Sequence, residues 1–198
     1  MTAVAGRIAL AWLPFTATLA SARSRRVGNW EHVTTRRLNR LPEVLHRPLW
    51  LVMQSGTAGA PVVAGGVALA LGRPALAVRL AGSGITAYVL AKGVKRAVRR
   101  GRPGELVVGI RIRGRPATGS GYVSGHAAVS MALAAEMLPA CTSPARALPL
   151  ATASVVAVAR VYVGAHLPLD AVGGAALGWA ISRTVAEVRG RAGTGSSE

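Results

Sequence analysis

Long apolar runs, separated by short polar and basic stretches, are the dominant pattern along this chain. Residues 48–72 hold 25 positions without a formal charge, and about 20 apolar residues are enough for a helix to cross the hydrocarbon core of a membrane. Each of the later runs carries an ionisable side chain, and such side chains inside spans usually face the interior of a helical bundle. These side chains are Arg79, Glu136, Arg160 and Arg183.

The apolar runs predict five helices, at about residues 49–71, 74–95, 125–140, 147–164 and 169–188. Glycine and alanine fall mainly inside them, as in the pairs Gly65-Gly66 and Gly173-Gly174. In lipid, small residues of this kind let helix backbones approach closely. The expected fold is all-α: a polytopic transmembrane helical bundle of five to six spans, with a basic interfacial segment near the N-terminus.

The N-terminal part of the chain allows more than one interpretation. Residues 8–22 are uncharged and end in Ala-Ser-Ala, which also fits a signal-peptide cleavage site, but only Arg7 precedes them, which favours a first span or an interfacial helix. Residues 21–47 contain seven arginines and Trp30, typical of a helix on anionic headgroups and equally of a solvated loop. The predicted division is a first span, interfacial or signal-like segment (1–22), a basic interfacial segment (23–47), a transmembrane domain (48–188) and a disordered tail (189–198).

Composition narrows the class of protein further. Lys and Arg total 24 against seven acidic residues, a net charge of +17, although 51% of residues are hydrophobic and only 16% are charged. The apolar content excludes a disordered basic tail, and the small charged fraction disfavours a soluble globular enzyme. A small basic membrane protein remains. Its single Cys141 cannot form an internal disulfide, and Asp170 is its only aspartate.

Three clusters of potentially reactive residues lie at predicted helix ends. In the first, KRAVRRGRP, Lys95 and Arg102 are seven residues apart and would project from one helical face around an oxyanion. A basic stop after a transmembrane helix explains the same residues. In the second, GSGYVSGH, Ser124 caps the next helix, and the free N–H groups at that helix start, with Gly125, favour an anion beside His126. Taken alone, that cluster is explained more simply as a capped helix with an incidental histidine.

The third cluster reads ARVYVGAHLPLD and includes Arg160. Pro168 suits the first turn of the last helix, so Asp170 lies close enough to reach back to His166 and leave the other ring nitrogen as a nucleophile or base. An acid in a first helical turn is also ordinary helix-dipole chemistry. Because successive spans reverse direction, all three clusters are expected on one membrane surface.

In order and spacing, the clusters resemble the three motifs of the type 2 phosphatidic acid phosphatase family, which shares its active site with vanadium-dependent haloperoxidases. The family patterns K-x6-R-P, P-S-G-H and S-R-x5-H-x3-D correspond to residues 95–103, 123–126 and 159–170, within a resemblance over about 48–188. Val123 replaces the motif proline and Ala159 the motif serine. Neither replacement removes a nucleophile or a proton carrier, although the missing serine hydroxyl is expected to remove one polar contact in the pocket.

The resemblance implies a role for each matched residue. His166 would attack phosphorus to form a phosphohistidine, Asp170 would orient His166, and a cationic His126 would protonate the departing alkoxide. No cofactor is implied and no metal is required, and the scattered acids of the sequence suggest no metal cluster. The phosphoryl oxygens would be held by Lys95, Arg102, Ser124, the Gly125 N–H and Arg160.

The predicted function is that of a membrane-embedded lipid phosphate phosphatase acting on a polyprenyl-linked or glycerolipid phosphate. Its partners would be that substrate and membrane lipids, and no nucleic acid, because aromatic residues make up only 4% of the chain; the oligomeric state is open. Two alternatives remain: a lipid phosphotransferase that uses the same intermediate, and a non-enzymatic protein that binds anionic lipid.

The distribution of basic residues predicts an orientation in the cell membrane. Seventeen of the 24 Lys and Arg residues fall on the surface that carries the motifs, six fall on the opposite surface, and Arg79 lies inside a span. By the positive-inside rule, the active site of this multi-pass protein would face the cytoplasm.

Overall fold

The chain is all-helical in the computed structural model, which describes residues 2–194 and the side chains of residues 3–190 and has no β-strand within that part. The predicted all-α class is therefore confirmed. Short 3-10 turns at Glu43–Leu45, Gln54–Gly56, Leu138–Ala140 and Pro144–Arg146 link some of the helices. The α-helices are α1 (Thr2–Arg23), α2 (Asn29–Asn39), α3 (His46–Met53), α4 (Ala60–Ala70), α5 (Pro74–Val98), α6 (Pro103–Leu106), α7 (Gly125–Met137), α8 (Ala147–Tyr162) and α9 (Pro168–Thr194).

Helix α7 is the centre of the bundle: nine of its 13 residues are buried, and it packs against α5, α8 and α9. The α7–α9 contact is close because α9 presents glycine to it. A Cβ atom on Gly174 would collide with the Ser124 carbonyl oxygen, and a Cβ atom on Gly178 with the carbonyl oxygen of Ala128. The predicted use of small residues for close helix packing is thus confirmed at these two positions.

Within the described part of the chain, three helical stretches are long and apolar enough to cross a membrane: Ala3–Arg23, Pro74–Leu106 and Pro144–Tyr162. Helix α4 is apolar but only 11 residues long, which is too short to cross a hydrocarbon core of about 30 Å by itself. The number of spans, five to six, therefore stays a prediction.

The prediction of one continuous helix over residues 49–71 is wrong. Helix α3 ends at Met53, a 3-10 turn follows, and α4 begins only at Ala60. At this break Gly56 lies against the start of α7, where an added Cβ atom would come within 2.5 Å of the His126 carbonyl oxygen. The helix is interrupted where its backbone lies close to the backbone of α7. Pro61 in the first turn of α4 suits the start of a new helix.

The remaining helix predictions differ from the structure mainly at their ends. Helix α5 continues to Val98, and α7 and α8 occupy the predicted ranges closely. Helix α9 continues to Thr194, past the predicted end at residue 188. The predicted disordered tail, 189–198, is therefore helical as far as Thr194, and its last four residues lie outside the described part of the chain.

The N-terminal segments pack onto the bundle. In α1, the Trp12 indole N–H donates to Thr184 Oγ1 on α9 at 3.0 Å. Helix α2 buries Glu31, Thr35 and Asn39, and the Asn39 amide donates to the Tyr162 carbonyl oxygen at 2.9 Å. A solvated loop is thus excluded for residues 29–39, whereas their contact with lipid headgroups stays a prediction.

Candidate active site

A cavity of about 300 Å³ lies at the end of the bundle where α5 and α8 end and α7 begins. The structure brings the three sequence clusters together around it. Two histidines and four cationic side chains line the cavity, and no acidic side chain of the described residues does so. The lining residues are Gly56, Ala58, Tyr88, Ala91, Lys92, Lys95, Arg102, Thr118, Gly125, His126, Arg160 and His166.

The last turns of α5 supply two of the cations. Tyr88, Lys92 and Lys95 recur at helical spacing, which places them on one face of α5. The Lys92 ammonium stands 4.7 Å from the centroid of the Tyr88 ring, a cation–π contact. The motif spacing identified Lys95 but not Lys92 or Tyr88, although these two lie at helical spacing from Lys95 and could have been identified by it.

Arg102 lines the cavity and also fixes the loops around it. Its guanidinium donates to three backbone carbonyl oxygens: Gly119 at 2.7 Å, Thr118 at 2.8 Å and Ala165 at 2.7 Å. Thr118 and Gly119 precede α7, whereas Ala165 lies between α8 and α9. Because a guanidinium has five N–H donors, Arg102 joins these two loops and keeps two N–H groups for an anion.

The end of α8 positions Arg160 beside His166. Gly164 has φ +75°, the left-handed conformation that commonly ends a helix, and the His166 backbone N–H then donates to the Arg160 carbonyl oxygen at 3.1 Å. Arg160 Nη1 approaches Met53 Sδ at 3.8 Å, and its Nε is buried without a hydrogen-bond partner among the described residues. Unlike Arg102, Arg160 therefore donates no side-chain hydrogen bond to an oxygen of the described residues.

Asp170 lies in the first turn of α9 close to His166, as expected, but the two side chains do not form a hydrogen bond. Pro168 begins α9, and the Asp170 carboxylate turns back so that Oδ2 accepts the Leu167 N–H at 2.9 Å. His166 Nδ1 lies 3.7 Å from the same oxygen, near but beyond hydrogen-bond distance. Burial, and after it the positive charges of Lys95 and Arg160, lower the pKa of His166 well below its usual value. The lowered pKa favours the neutral form of the imidazole at pH 7.

The start of α7 is arranged by Ser124. Its Oγ accepts the Ala127 N–H at 3.5 Å, so Ser124 caps the helix as predicted. Ser124 is fully buried and does not line the cavity, whereas Gly125 and His126 do. With Lys95 and Arg160 on the same cavity wall and no acid there among the described residues, His126 needs the negative charge of a bound anion to become cationic.

The two departures from the motif pattern lie behind the cavity wall. Val123 and Ala159 are fully buried, and neither lines the cavity. Ala159 packs in an apolar cluster with Met53, Tyr162 and Val163. Within the described side chains, no three His, Cys, Asp or Glu residues are grouped as they would be around a metal ion.

Comparison with known proteins places this geometry in a family. The sequence profile of the PAP2 superfamily matches residues 76–193, more than half of the chain. The chain belongs to the PAP2 superfamily. This confirms the resemblance inferred from the three motifs. No curated protein sequence matches this PAP2 protein.

Two solved structures share the fold of this PAP2 protein. One is a transmembrane PAP2-type phosphatidylglycerolphosphate phosphatase from Bacillus subtilis. Its structure matches with a TM-score of 0.76 and 16% sequence identity, over 93% of this chain and 96% of that one. LpxE from Aquifex aeolicus has a TM-score of 0.69 and 18% identity, over 78% of this chain and 92% of that one. The helices of this chain therefore adopt a transmembrane PAP2 phosphatase-type fold.

Proposed function

We propose that this PAP2 protein is a membrane-embedded phosphatase that removes the terminal phosphate from a lipid phosphate. The observation that carries the proposal is the cavity in which two histidines and four cations converge without an acidic side chain among the described lining residues. Phosphoryl transfer needs mainly positioning and positive charge around the equatorial oxygens, with an attacking and a leaving group in line. Lys95, Arg102 and Arg160 supply the charge.

The two histidines divide the chemistry. His166 Nε2 attacks phosphorus, and as the P–N bond forms, the bond between phosphorus and the lipid oxygen breaks. His126, cationic once the anionic phosphoryl group is bound, gives its proton to the departing lipid oxygen. Neutral His126 then takes a proton from a water molecule whose oxygen attacks phosphorus. The P–N bond breaks, its electron pair returns to His166, and inorganic phosphate is released. Asp170, 3.7 Å from His166 Nδ1, balances the positive charge that the imidazole gains.

A second cavity suits the lipid part of the substrate. It has a volume of about 650 Å³, lies between α4, α7 and α8, and is lined mostly by apolar side chains such as Val63, Leu133 and Leu148. The break between α3 and α4 separates the two cavities: Ser55 and Thr57 line the apolar cavity, whereas Gly56 and Ala58 line the cationic one. A hydrocarbon chain in the apolar cavity would place its headgroup at the cationic cavity.

The relatives suggest which substrates to test first. The Bacillus subtilis structure is named as a phosphatidylglycerolphosphate phosphatase, so phosphatidylglycerophosphate belongs in the first assay, with phosphatidate, a polyprenyl diphosphate and a polyprenyl-phosphoryl sugar phosphate. We expect the purified protein in detergent to release inorganic phosphate from at least one of these, equally well with EDTA. His166→Ala should abolish the release, whereas Arg96→Gln, an exposed basic residue of α5, should not.

The outcomes of this assay separate the alternatives. Phosphate release by His166→Ala at the wild-type rate would overturn the mechanism. Transfer of the phosphoryl group to an added alcohol, with little release to water, would favour a phosphotransferase. No turnover of any substrate by the wild type, with lipid binding that persists without both histidines, would favour a non-enzymatic lipid-binding protein.

The proposed topology has six spans: α1, the broken α3–α4 pair, α5, α7, α8 and α9, with the cationic cavity facing the cytoplasm. The chain offers a matched pair of labelling sites. Val108, 87% exposed, follows α6 on the cavity side, and the free Cys141 follows α7 at the other end. An impermeant thiol reagent on intact cells should label Cys141 and spare Val108→Cys in a Cys141→Ser background; the reverse pattern would overturn the orientation.

A further inference from the structure

A fully buried arginine lies behind Asp170, outside the cavity. Arg100 is 0% exposed. Its Nη1 donates to Asp170 Oδ1 at 3.0 Å and to Glu31 Oε1 at 3.1 Å, and its Nη2 donates to Glu31 Oε2 at 2.6 Å. Nη2 also donates to the Arg26 carbonyl oxygen at 3.0 Å. A planar guanidinium thus joins two buried carboxylates from different parts of the chain.

These contacts fix the orientation of the Asp170 carboxylate. Oδ1 accepts from Arg100, and Oδ2 accepts from the Leu167 N–H at 2.9 Å. Oδ2 is also the oxygen that faces His166 Nδ1 at 3.7 Å. Because one oxygen is held by Arg100 and the other by the backbone, the carboxylate cannot rotate away from the imidazole without breaking a buried hydrogen bond.

Glu31 fixes the arginine in turn and ties it to the start of α9. It is 2% exposed, and besides its bidentate contact with Arg100 it accepts the Leu169 N–H at 3.3 Å and the Gly28 N–H at 3.3 Å. Leu169 directly precedes Asp170. Glu31 of α2 therefore contacts the first turn of α9, which carries Asp170, the proposed catalytic carboxylate.

The neighbouring arginines show that this role is specific to Arg100. Arg96 and Arg99 belong to the same basic stretch but are exposed, and neither forms an ion pair within the described residues. A basic stop at a membrane surface needs exposed cations. Burial of Arg100 without its partners would be strongly unfavourable, so Glu31, Arg100 and Asp170 form one unit.

We propose that Glu31 and Arg100 are positioning residues that hold Asp170 in the orientation at which it aligns His166 for attack. The inference rests on the proposed phosphatase function. Neither residue touches the substrate, so removing either should lower kcat and leave KM nearly unchanged. We expect kcat to fall about 10- to 100-fold in Arg100→Met and Glu31→Gln, the range typical when a residue that orients a metal ligand by hydrogen bonding is removed.

A double-mutant cycle distinguishes positioning from a merely structural role. If Arg100 acts through Asp170, Arg100→Met should lower kcat in the wild type but have little further effect in an Asp170→Asn background. Additive losses of kcat would overturn the proposal, as would kcat within about twofold of wild type for both Arg100→Met and Glu31→Gln. Arg96→Gln and Glu43→Gln, changes of exposed residues, are the matched controls and should leave kcat unchanged.

Arg100→Lys is a conservative variant that can replace Arg100→Met in this test. If Arg100→Met does not yield folded protein in detergent, Arg100→Lys, which retains the charge but loses the fork, replaces it in the same cycle, and a wild-type kcat for it would overturn the proposal. His166→Ala separates this inference from the proposed function. A wild type that is active, a His166→Ala variant that is inactive and an Arg100 variant with normal kcat would refute the positioning role alone.

Discussion

Two buried polar clusters contact other helices, one through Arg79 of α5 and one through Arg100, which follows α5, and they differ in their number of hydrogen bonds. At the site end, the Arg100 guanidinium makes four hydrogen bonds, three of them to Glu31 and Asp170. Farther along the bundle, Arg79 Nε meets Glu136 Oε2 only as an ion pair at 3.5 Å. The other Glu136 oxygen accepts from Ser83 Oγ at 2.8 Å.

The difference shows what each cluster does. The site cluster fixes the plane of a carboxylate beside a proposed nucleophile, which a single long ion pair could not do. The Arg79–Glu136 pair, about 16 Å along α7 from its start, neutralises two charges within an apolar part of the bundle. We therefore expect the first cluster to control rate and the second to control stability.

The largest effect should come from Asp170. Asp170→Asn keeps the size of the side chain but removes the charge proposed to balance the His166 imidazole, so kcat should fall by about 10³- to 10⁴-fold, as for the aspartate of a Ser-His-Asp triad. Steady-state phosphate release measures it. Glu136→Gln is the matched change in the second cluster, and a comparable loss of kcat there would remove the distinction between the clusters.

A smaller effect on rate should follow from the glycines of α9. A Cβ atom on Gly174 meets the carbonyl oxygen of Ser124, the residue before Gly125, whereas one on Gly178 meets Ala128, a turn farther into α7. Gly174→Ala should lower kcat about 10-fold, because it displaces Gly125 and His126 from the cavity wall. Gly178→Ala should lower only thermal stability, and equal effects of both on kcat would contradict this.

Loss of the Arg79–Glu136 pair should lower the stability of the protein. Glu136→Gln should lower the free energy of unfolding by about 1–2 kcal/mol, less than for a fully buried pair because Arg79 is partly exposed. Thermal unfolding in detergent, followed by circular dichroism, measures the change. An unchanged midpoint would show that the pair contributes nothing to stability.

The smallest effect should come from an exposed pair. The hydrogen bond from Arg113 lowers the pKa of Glu43 below its ordinary value. Glu43 therefore stabilises the fold above its unfolded pKa, about 4.3, and that contribution is lost as pH falls through the lower folded value. Between about pH 5 and pH 3 the thermal midpoint of the wild type should fall slightly more than that of Glu43→Gln, and parallel curves would contradict the linkage.

Much of the fold was predictable because most of the long helices coincide with apolar runs of the sequence. Helices α7 and α8 occupy the predicted ranges closely. The break at Gly56 was not predictable, because its cause is a contact with His126, 70 residues away in the chain. The uncharged run 49–71, with four glycines and one proline, allows such a break but does not require it.

The same limit applies to the site. The motif spacings predicted that Lys95, His126 and His166 would share one end of the bundle, and local helix geometry predicted that Asp170 would approach His166. The Glu31–Arg100 pair spans 69 residues, and one arginine among several in KRAVRRGRP carries no local sign of burial. Only the packing of α2 against α9 distinguishes Arg100 from the exposed arginines beside it.

The most direct test of the proposed mechanism is to trap the phosphoryl-enzyme. A lipid phosphate labelled at its terminal phosphorus is mixed with the protein and quenched rapidly in alkali, in which phosphohistidine survives. We expect label on the wild-type chain, at His166, and none on His166→Ala. Phosphate release by the wild type with no labelled chain at any quench time, or equal labelling of His166→Ala, would contradict a His166 phosphohistidine.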